Sequence, residues 1–413
     1  MHRHLVPLVL LCVVGCVAPP TSTSPSDNPE DYAGLVDSSL RYRPVLGQPR
    51  WVVPSDALPP TTDAMAGNNN VDIIYHAGWL YMAWRTAETH FASKSARIEI
   101  VSSNDDGRSW RHEHTIALGA DVREPRFLEA TGKRLLFHWF EAGTVPTAFT
   151  PRWIWRIERT GPGSWSPPEK IGDPKEVPWT IKGPRQGRFY MTSYAGEHYT
   201  GGEQSNVEVR FRVSDDGLLW RPVDPARAVV YHGGVSEVAF ELDEGGDLWT
   251  VTRNEEGDAS GFGSHLCHAP AADLADWSCP AQSDPQRYDS PWIFRHAGEL
   301  YLVARRDPDG PYDQGLGGLT LAQKRTRYLL AYSLRPKRTA LYRIDRAAGK
   351  VVHLADLPSA GDTAFPSVRR TGPHTFLVAN YTSPLDKTDL SWLAGQTEPT
   401  QIYLLTLTFV PEP

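Results

Sequence analysis

The sequence of 413 residues predicts an all-β protein built as one six-bladed β-propeller. Six times along the chain, an acidic residue precedes an apolar run, a turn and a second apolar run, which is the pattern of a β-hairpin. The leading acids are Asp72, Glu124, Glu176, Glu237, Asp289 and Asp362, spaced by 52, 52, 61, 52 and 73 residues. Such spacing suits four strands with their loops, and strong helical periodicity is absent. Radial repetition of these units predicts a propeller, whereas two β-sandwiches would not explain six similar hairpins.

The hairpin at residues 235–257 shows the repeated unit most clearly. Its apolar runs, Val238–Leu242 and Leu248–Thr252, flank turn residues and fit two antiparallel strands. Antiparallel pairing puts the start of one strand beside the end of the next, so Glu237 and Arg253 should emerge at the same end. The other five hairpins are expected at residues 71–86, 123–140, 176–194, 289–306 and 362–381.

The N-terminal residues are predicted to direct the chain out of the cytoplasm. Residues 1–15 resemble a bacterial lipoprotein signal peptide, with acylation expected at Cys16. The alternatives are a plain secretory signal or a short anchor, but the apolar run is too short to cross a bilayer as a helix. Residues 16–40 would hold the lipidated cysteine and a flexible tether, and residues 41–413 the propeller. The expected location is the bacterial cell envelope, with the outer membrane compatible with Val17.

The remaining cysteines and the composition argue against several classes of site and ligand. Cys267 and Cys279 lie in a chain expected to be exported, so a disulfide between them is predicted, and two lone cysteines offer too few ligands for a metal site. A net charge of -7 argues against a general nucleic-acid binder. No nucleotide, dinucleotide or zinc-protease motif is present, so no cofactor is expected. A monomer that contacts the membrane only through its anchor is expected.

A ligand site is predicted at one mouth of the propeller channel. The first strands should begin there and the second strands end there, so acids, arginines and aromatic side chains would converge on a concave surface. The acids could instead pair with arginines or with backbone N–H groups, but burying many unpaired charges is costly, which favours function for the set. The second strands and their loops would contribute Arg85, Tyr194, Arg253, Arg305, Arg306 and Tyr381, with Glu197, His198, Glu255 and Asp307.

A short motif in the first unit resembles the Asp-box of sialidase-like propellers. Residues 103–110, SNDDGRSW, match its pattern S-x-D-x-G-x-[ST]-W at every specified position. Residues 215–220 form a degenerate copy, with Val213 where serine is expected. The motif closes a tight turn between outer strands, so Asp105 is expected to stabilise the fold and not to take part in chemistry.

The fourth unit resembles the glutamate-bearing blade of bacterial sialidases. Glu237 falls on the family's glutamate and Arg253 on its arginine, while Lys337–Tyr342 resembles the segment with the third arginine, which makes Arg338 a candidate. The resemblance implies that the arginines bind a substrate carboxylate and that the glutamate supports a tyrosine nucleophile.

Other positions depart from the sialidase pattern. Val71-Asp72-Ile73 stands where the family has its first arginine, with Arg85 near the next one, and residues 90–97 offer no aspartate as general acid. Phe365 replaces the tyrosine, although Tyr381 is nearby on another strand. The sequence therefore resembles the family in architecture and only in part in its catalytic set.

Two functions from different classes follow. The first is a cell-envelope, sialidase-like glycoside hydrolase acting on an unidentified glycan, acidic glycans included; the second is a glycan-binding propeller without turnover. A third option, a five-bladed arabinanase-like hydrolase, depends on the number of blades. The proposed catalytic carboxylates are Glu237, Glu124 and Asp362, with His90 or His198 as proton carrier. The proposed substrate-binding residues are Arg85, Arg253, Arg305, Arg306, Arg338, Asp72, Asp289, Tyr194, His198 and Tyr381.

Overall fold

The computed structural model describes residues 25–26, 28–146, 148–196 and 205–412. The strands in the first half are β1 (Tyr42–Leu46), β2 (Arg50–Val53), β3 (Gly67–His76), β4 (Trp79–Ala87), β5 (Arg97–Ser103), β6 (Arg111–Ile116), β7 (Asp121–Ala130), β8 (Arg134–Ala142), β9 (Pro151–Gly161), β10 (Ser164–Trp165), β11 (Glu169–Ile171), β12 (Val177–Arg185) and β13 (Arg188–Gly196). Those in the second half are β14 (Val207–Ser214), β15 (Arg221–Pro222), β16 (Val229–Gly233), β17 (Val235–Leu242), β18 (Leu248–Asn254), β19 (Leu266–Ala269), β20 (Asp289–His296), β21 (Glu299–Arg306), β22 (Arg338–Asp345), β23 (Lys350–Asp356), β24 (Thr363–Arg370), β25 (Thr375–Thr382) and β26 (Gln401–Pro411).

These strands form six antiparallel sheets, the blades of a propeller. In chain order the blades are β3–β6, β7–β11, β12–β16, β17–β19, β20–β23, and β24–β26 with β1 and β2. The first strand of each blade contacts the first strand of the next, and β24 contacts β3, so the six inner strands close a ring around a channel. The predicted six-bladed fold is confirmed, and six blades exclude the five-bladed alternative.

The ring is closed by pairing the two ends of the chain in the sixth blade. Strand β1 pairs with β26 from Tyr42 opposite Pro411 to Leu46 opposite Leu407, and β2 pairs with the start of β26. The sequence analysis placed no strand before residue 71. This closure leaves the last blade dependent on residues 42–53, because they supply its outer strands.

Apolar side chains fill the spaces between neighbouring blades. Between the first two blades, Tyr81 and Ile100 pack with Phe127 and Phe137, all of them buried. Strands that alternate inward and outward residues can present such a surface on both faces of a sheet that lies between two others. The core is therefore distributed around the ring.

Residues 103–110 form a turn between β5 and β6. The Ser103 hydroxyl donates to Asp105 at 2.7 Å and accepts from the Gly107 N–H at 2.7 Å, while Asp105 also accepts from the N–H of Ser109 at 2.9 Å. In the third blade, the serine with equivalent contacts is Ser214, which donates to Asp216 at 2.9 Å. The sequence alignment had put Val213 at that position, one residue too early.

Two helices lie between strands of the fifth and sixth blades. They are α1 (Leu321–Leu334) and α2 (Trp392–Gly395), with 3-10 turns elsewhere at Pro29–Tyr32 and Pro225–Arg227. The sequence analysis missed α1, whose buried side chains include Tyr328 and Tyr332 and whose N-terminus is capped by Thr320. In the part of the chain that the structure describes, neither helix is long and apolar enough to cross a membrane.

The segment before the propeller contacts the face at which the inner strands end, here called the lower face. Cys16 and the predicted signal peptide lie outside the described residues. Of the predicted tether, the turn Pro29–Tyr32 is described, and Tyr32 is buried with its ring 5.0 Å from the Arg370 guanidinium. This segment therefore approaches the end of the channel where the inner strands finish.

The predicted disulfide between Cys267 and Cys279 is present at the outer edge of the fourth blade. It joins β19 to a short segment in which Ser278 pairs with His268. This blade has only three strands, so the disulfide closes the edge that a fourth strand would otherwise cover.

A Cys267→Ser/Cys279→Ser double variant should fold but unfold more easily. The disulfide closes a short loop, with a sequence separation of 12, and a loop of that size contributes about 3 kcal/mol by restricting the unfolded chain. Denaturant-induced unfolding, followed by tryptophan fluorescence, should show this loss. A reducing agent should destabilise the wild-type protein and leave the double variant unchanged; equal sensitivity of both would contradict the assignment.

Candidate functional site

A register shift near the start of every inner strand builds one end of the channel. The shifts have the form of β-bulges and fall at Asn69/Val71, Arg123/Arg126, Pro178/Ile181, Val235/Val238, Asp289/Trp292 and Ala364/Ser367. Four residues at these positions, Asn70, Glu124, Ser290 and Phe365, have φ between 49° and 64°. A bulge redirects a side chain, and non-glycine residues with such φ are concentrated at functional sites.

The redirected side chains line a cavity of about 290 Å³ at this mouth. From the bulges come Asn70, Glu124, Glu237, Ser290 and Phe365. The other charged or aromatic residues of the cavity are His90, Phe91, Asp121, Arg123, Phe149, Tyr194, Arg253, Glu255, Arg305, Tyr381 and Trp392. Its size is at the lower end for small-molecule sites, and both polar groups and aromatic faces line it.

Glu237 and Arg253 form an ion pair on one side of the cavity. Arg253 Nη1 donates to Glu237 Oε1 at 2.5 Å, and Glu237 Oε2 accepts from the Ser290 N–H at 2.8 Å. Arg253 also contacts Glu255 at 2.9 Å and Asp289 at 3.5 Å. Burial raises the pKa of Glu237, and Arg253 opposes that rise. The sequence prediction that Glu237 and Arg253 share one end of their hairpin is confirmed.

Glu124 lies in the same cavity and forms no ion pair with any of the residues that the structure describes. Burial raises its pKa to about 8; Arg126 opposes the rise, and the negative charge of Glu237 adds to it. The Asn70 side chain donates a hydrogen bond to Glu124 Oε2 at 3.2 Å. At neutral pH Glu124 is therefore mainly protonated and can donate a proton, which is the condition that a general acid requires.

Asp362, Tyr381, His90 and Arg305 form a hydrogen-bonded network on the other side. The Tyr381 hydroxyl donates to Asp362 Oδ1 at 2.9 Å and accepts from Arg305 Nη2 at 3.3 Å. The His90 Nδ1–H group donates to Asp362 Oδ2. Burial tends to raise the pKa of Asp362, but His90 and Arg305 lower it below its ordinary value. Asp362 is thus an ionised group beneath the cavity wall that orients Tyr381 and His90.

The pKa values of those two partners follow from burial. Burial lowers the pKa of His90, so its ring is neutral near pH 7 although Asp362 opposes the change. Burial, with the negative charge of Asp362, raises the pKa of Tyr381 well above its ordinary value. Tyr381 therefore remains a phenol at neutral pH and acts as a hydrogen-bond donor.

Arg123, which the sequence analysis did not select, lies at the cavity through a second network. Asp121 accepts from Arg123 Nε at 2.5 Å and from Arg85 Nη2 at 2.8 Å, while Arg123 also donates to the His90 carbonyl at 2.7 Å. Its position directly before Glu124 was the one signal in the sequence. Arg85, which was predicted to bind substrate, is fully buried behind this network and does not line the cavity.

Three further predictions about site residues are wrong in their placement. Asp72 lies deeper in the channel, where it pairs with Arg369 at 3.1 Å and accepts from the Phe127 N–H at 2.6 Å. Arg306 points to the outer part of its blade and pairs with Asp356 at 2.8 Å. Arg338 donates to the Thr388 carbonyl at 2.9 Å and does not reach the cavity.

The remaining predicted residues are distributed as follows. Tyr194, Arg305 and Tyr381 line the cavity as expected. Asp289 lies behind Arg253 and pairs with Arg287 at 2.7 Å. His198 and Glu197 lie outside the described residues.

Phe365, which was aligned with the sialidase tyrosine from the sequence, closes the floor of the cavity. Its ring lies 4.1 Å from the guanidinium of Arg126, which also faces the rings of Trp179 at 5.2 Å and Trp292 at 5.8 Å. These groups fill the channel below the mouth, and cations over aromatic faces are stabilised when desolvated. Among the described residues, no group of three or more histidine, cysteine or acidic side chains is arranged to hold a metal ion.

No family model and no curated protein matches the sequence. Among solved structures, the fold is similar to that of a protein of unknown function from Dyadobacter fermentans, with a TM-score of 0.56 and 12% identity over 90% of this chain and 99% of that one. It is similar to the NanB sialidase from Streptococcus pneumoniae, with a TM-score of 0.53 and 10% identity over 85% and 69%. For a Trypanosoma rangeli sialidase in complex with 2,3-difluorosialic acid, the TM-score is 0.53 and the identity 13%, over 88% of this chain and 59% of that one.

These similarities show a sialidase-like fold, as the sequence predicted. At such low identities they show the fold alone. The chain spans 54% to 69% of the length of the sialidases it resembles, and nearly all of the Dyadobacter protein.

The free energy of unfolding should decrease as the pH rises from 4.5 to 8, because of Glu124. In that range the carboxyl is ionised in the unfolded chain but protonated in the folded protein, so the unfolded state gains up to about 1.4 kcal/mol per pH unit. A Glu124→Gln variant should lack this component, and its free energy of unfolding should depend less steeply on pH. Denaturant unfolding at several pH values measures the slopes. Glu244→Gln, in an exposed turn, should keep the wild-type slope; identical slopes for all three proteins would contradict a raised pKa.

Proposed function

We propose that the protein is a cell-envelope glycoside hydrolase that uses the carboxyl groups of Glu124 and Glu237. The observation that carries the proposal is the unequal state of these two groups in one cavity. Burial raises the pKa of Glu124 to about 8, whereas Glu237 is held by Arg253 at 2.5 Å. Burial raises the pKa of both groups, but Arg253, hydrogen-bonded to Glu237, opposes the rise there, so Glu237 is the better candidate for the ionised base and Glu124 for the acid in glycosidic cleavage.

Glu124 would protonate the oxygen of the leaving group. Its proton is retained at neutral pH because an ionised carboxylate would be desolvated and would face the negative charge of Glu237. As the glycosidic bond lengthens, positive charge develops on the sugar ring, and Glu237, as the carboxylate that Arg253 stabilises, would stabilise that charge or activate water. The Ser290 N–H and Arg253 fix both oxygens of Glu237 and thus its orientation.

Tyr381 and His90 would position the sugar from the opposite side. Both donate to the carboxylate of Asp362, which leaves the His90 Nε2 atom and the second lone pair of the Tyr381 oxygen to contact a ligand. Phe365, Phe149 and Trp392 supply apolar walls against which a sugar ring can pack. In this proposal Asp362 is a positioning residue, because its carboxylate contacts Tyr381 and His90 and is not part of the cavity wall.

The pairing of the arginines bears on the substrate. Arg253 is engaged by Glu237 and Glu255, and Arg123 by Asp121. A carboxylate on the substrate would have to compete with these protein carboxylates. Arg305 donates to hydroxyl and carbonyl oxygens and is 3.9 Å from Asp362, so it is the arginine most suited to an acidic sugar. We therefore propose that the substrate is a glycan and that neutral glycans are candidates as well as acidic ones.

The alternative is a glycan-binding propeller without turnover. It is favoured by Phe365, which has no hydroxyl, and by Tyr381, whose pKa lies well above its ordinary value. A covalent mechanism through tyrosine would need a phenolate, and neither residue offers one at neutral pH.

Substrate screening with three variants tests both functions. The purified protein would be incubated with sialosides, uronides and neutral oligosaccharides, beside Glu124→Gln, Glu237→Gln and Glu244→Gln. Either cavity variant should lower kcat by about 10²–10⁴-fold, and Glu244→Gln should leave it unchanged. Glycosides with a highly activated aryl leaving group should restore turnover in Glu124→Gln only, because such groups need no protonation. The alkaline limb of the wild-type profile, near pH 8, should disappear in that variant.

The other results separate the alternatives. Saturable binding of a glycan without products, weakened by substitution at Trp392 or Phe149, would support the binding propeller. Turnover unaffected by both glutamate variants would reject the proposed carboxyl pair, and the absence of cleavage and of binding would reject both functions.

The location in the cell envelope is proposed from the N-terminal sequence, through a lipid on Cys16. Metabolic labelling with a tagged fatty acid should mark the wild-type protein in a bacterial host, and a Cys16→Ser variant should be unlabelled and leave the membrane fraction. Labelling of both proteins, or of neither, would contradict the proposed anchor.

A further inference from the structure

A second, larger cavity lies at the other end of the channel. Its volume is about 760 Å³, and it is lined by the β3–β4 turn at Ala77, the end of β12 at Pro184 and the end of β24 at Arg370. The layer of Arg126, Trp179 and Phe365 described above lies between it and the mouth. This lower cavity is therefore separate from the site of the proposed hydrolysis.

Positive side chains outnumber negative ones in the lower cavity. The six cations are Lys133, Lys182, Arg185, Arg295, Arg369 and Arg370, and the three carboxylates are Asp31, Glu129 and Glu241. Four of the cations, Lys182, Arg185, Arg369 and Arg370, are at most 7% exposed. Buried cations are costly unless they are paired, so the pairing of each one matters.

Most of these cations are neutralised within the protein. Glu241 accepts from Arg185 Nε at 2.5 Å and from Lys182 Nζ at 3.2 Å. Asp72, just above the cavity, pairs with Arg369 at 3.1 Å. At the rim, Glu129 pairs with Lys133 at 2.8 Å and with His76 at 2.7 Å, and Asp31 bonds to Asn28 at 3.2 Å in its own segment.

Among the described residues, Arg370 and Arg295 have no carboxylate that forms an ion pair with them. Arg370 donates to the carbonyl oxygens of Pro373 and Arg295, both at 2.7 Å, and its guanidinium faces the rings of Phe376 and Tyr32. The Arg295 guanidinium makes no hydrogen bond or ion pair with any residue in the described parts of the chain, although the residue is only partly exposed. Within the described parts of the chain, two positive charges therefore face the cavity without an ion-pair partner, although the charge of Glu241 acts on both.

The pKa of Arg370 reflects these surroundings. Burial lowers it to about 10; the neighbouring charges of Arg295 and Arg185 add to the lowering, and Tyr32 and Glu241 oppose it. An anion placed between Arg295 and Arg370 would relieve this repulsion. Trp292 and Phe294, which also line the cavity, would contact its carbon skeleton.

We propose that the lower cavity binds a small organic anion carrying carboxylate or phosphate groups, held by Arg295 and Arg370. Guanidinium groups bind both oxyanions through paired, charge-assisted hydrogen bonds. The volume exceeds what an inorganic ion needs and is within the range of small-molecule sites. The proposal rests on the charges of this cavity and stands whether or not the mouth hydrolyses glycans.

Calorimetric titration of the whole protein with citrate and with pyrophosphate, at constant ionic strength, tests the site. At least one anion should bind saturably near one equivalent. Arg295→Gln should weaken that binding about tenfold or more, because it removes a charge-assisted contact. The Arg295 side chain forms no hydrogen bond with the described residues that substitution would remove, so the variant should fold, which circular dichroism would verify; Arg370→Gln is the second variant.

Two controls distinguish this site from general charge effects. Lys350→Gln, which removes one exposed positive charge from the outer strand β23, should keep the wild-type affinity. Arg253→Gln at the mouth should keep it also. Absence of saturable binding by both anions, undiminished binding by Arg295→Gln, or equal weakening in Lys350→Gln or Arg253→Gln would overturn the proposal.

Discussion

Neutralising buried charge along the propeller axis is the constraint on which this structure depends. The inner strands carry charged residues into a channel with little water, where an unpaired charge costs several kcal/mol. Pairs such as Asp72–Arg369 and Arg185–Glu241 join one blade to another, at 3.1 Å and 2.5 Å. Because each pair needs one particular register of its strands, the pairs select that register as well as offset the cost. Where neutralisation is incomplete, as at Glu124, the protein holds a group with altered chemistry.

The sequence predicted the six hairpins but not which side chains of their inner strands face the channel. Apolar runs and turns are local, so hairpins could be located to within a few residues. A bulge adds one residue to a strand, which reverses the direction of every side chain beyond it. Asp72 lies two residues past the bulge position Asn70 and points into the channel, whereas Glu124 occupies the bulge itself and faces the cavity. Glu176, treated as equivalent to both, precedes β12 and pairs with Arg212.

Parts of the site that come from distant segments could not be predicted for a different reason. His90 meets Asp362 across a separation of 272 residues, and no local pattern records such a contact. The helix α1 was missed because its apolar residues do not form one buried stripe: Leu329, Leu330 and Leu334 are exposed, whereas its tyrosines pack against other segments, including Phe262 and Tyr312. The Glu237–Arg253 pair was predictable because both residues belong to one hairpin.

The same physical effect acts in opposite directions at the two ends of the channel. At the mouth, burial raises the pKa of an acid, Glu124, and so stores a proton. At the lower end, burial beside like charges lowers the pKa of a base, Arg370, and so favours an anion. Arg126 can lie between the two cavities because cation–π contacts stabilise its guanidinium, the nearest with the Phe365 ring at 4.1 Å. A tyrosine hydroxyl at this position would need a hydrogen-bond partner within that packed layer, whereas the phenyl ring of Phe365 needs none and completes the layer that separates the two cavities.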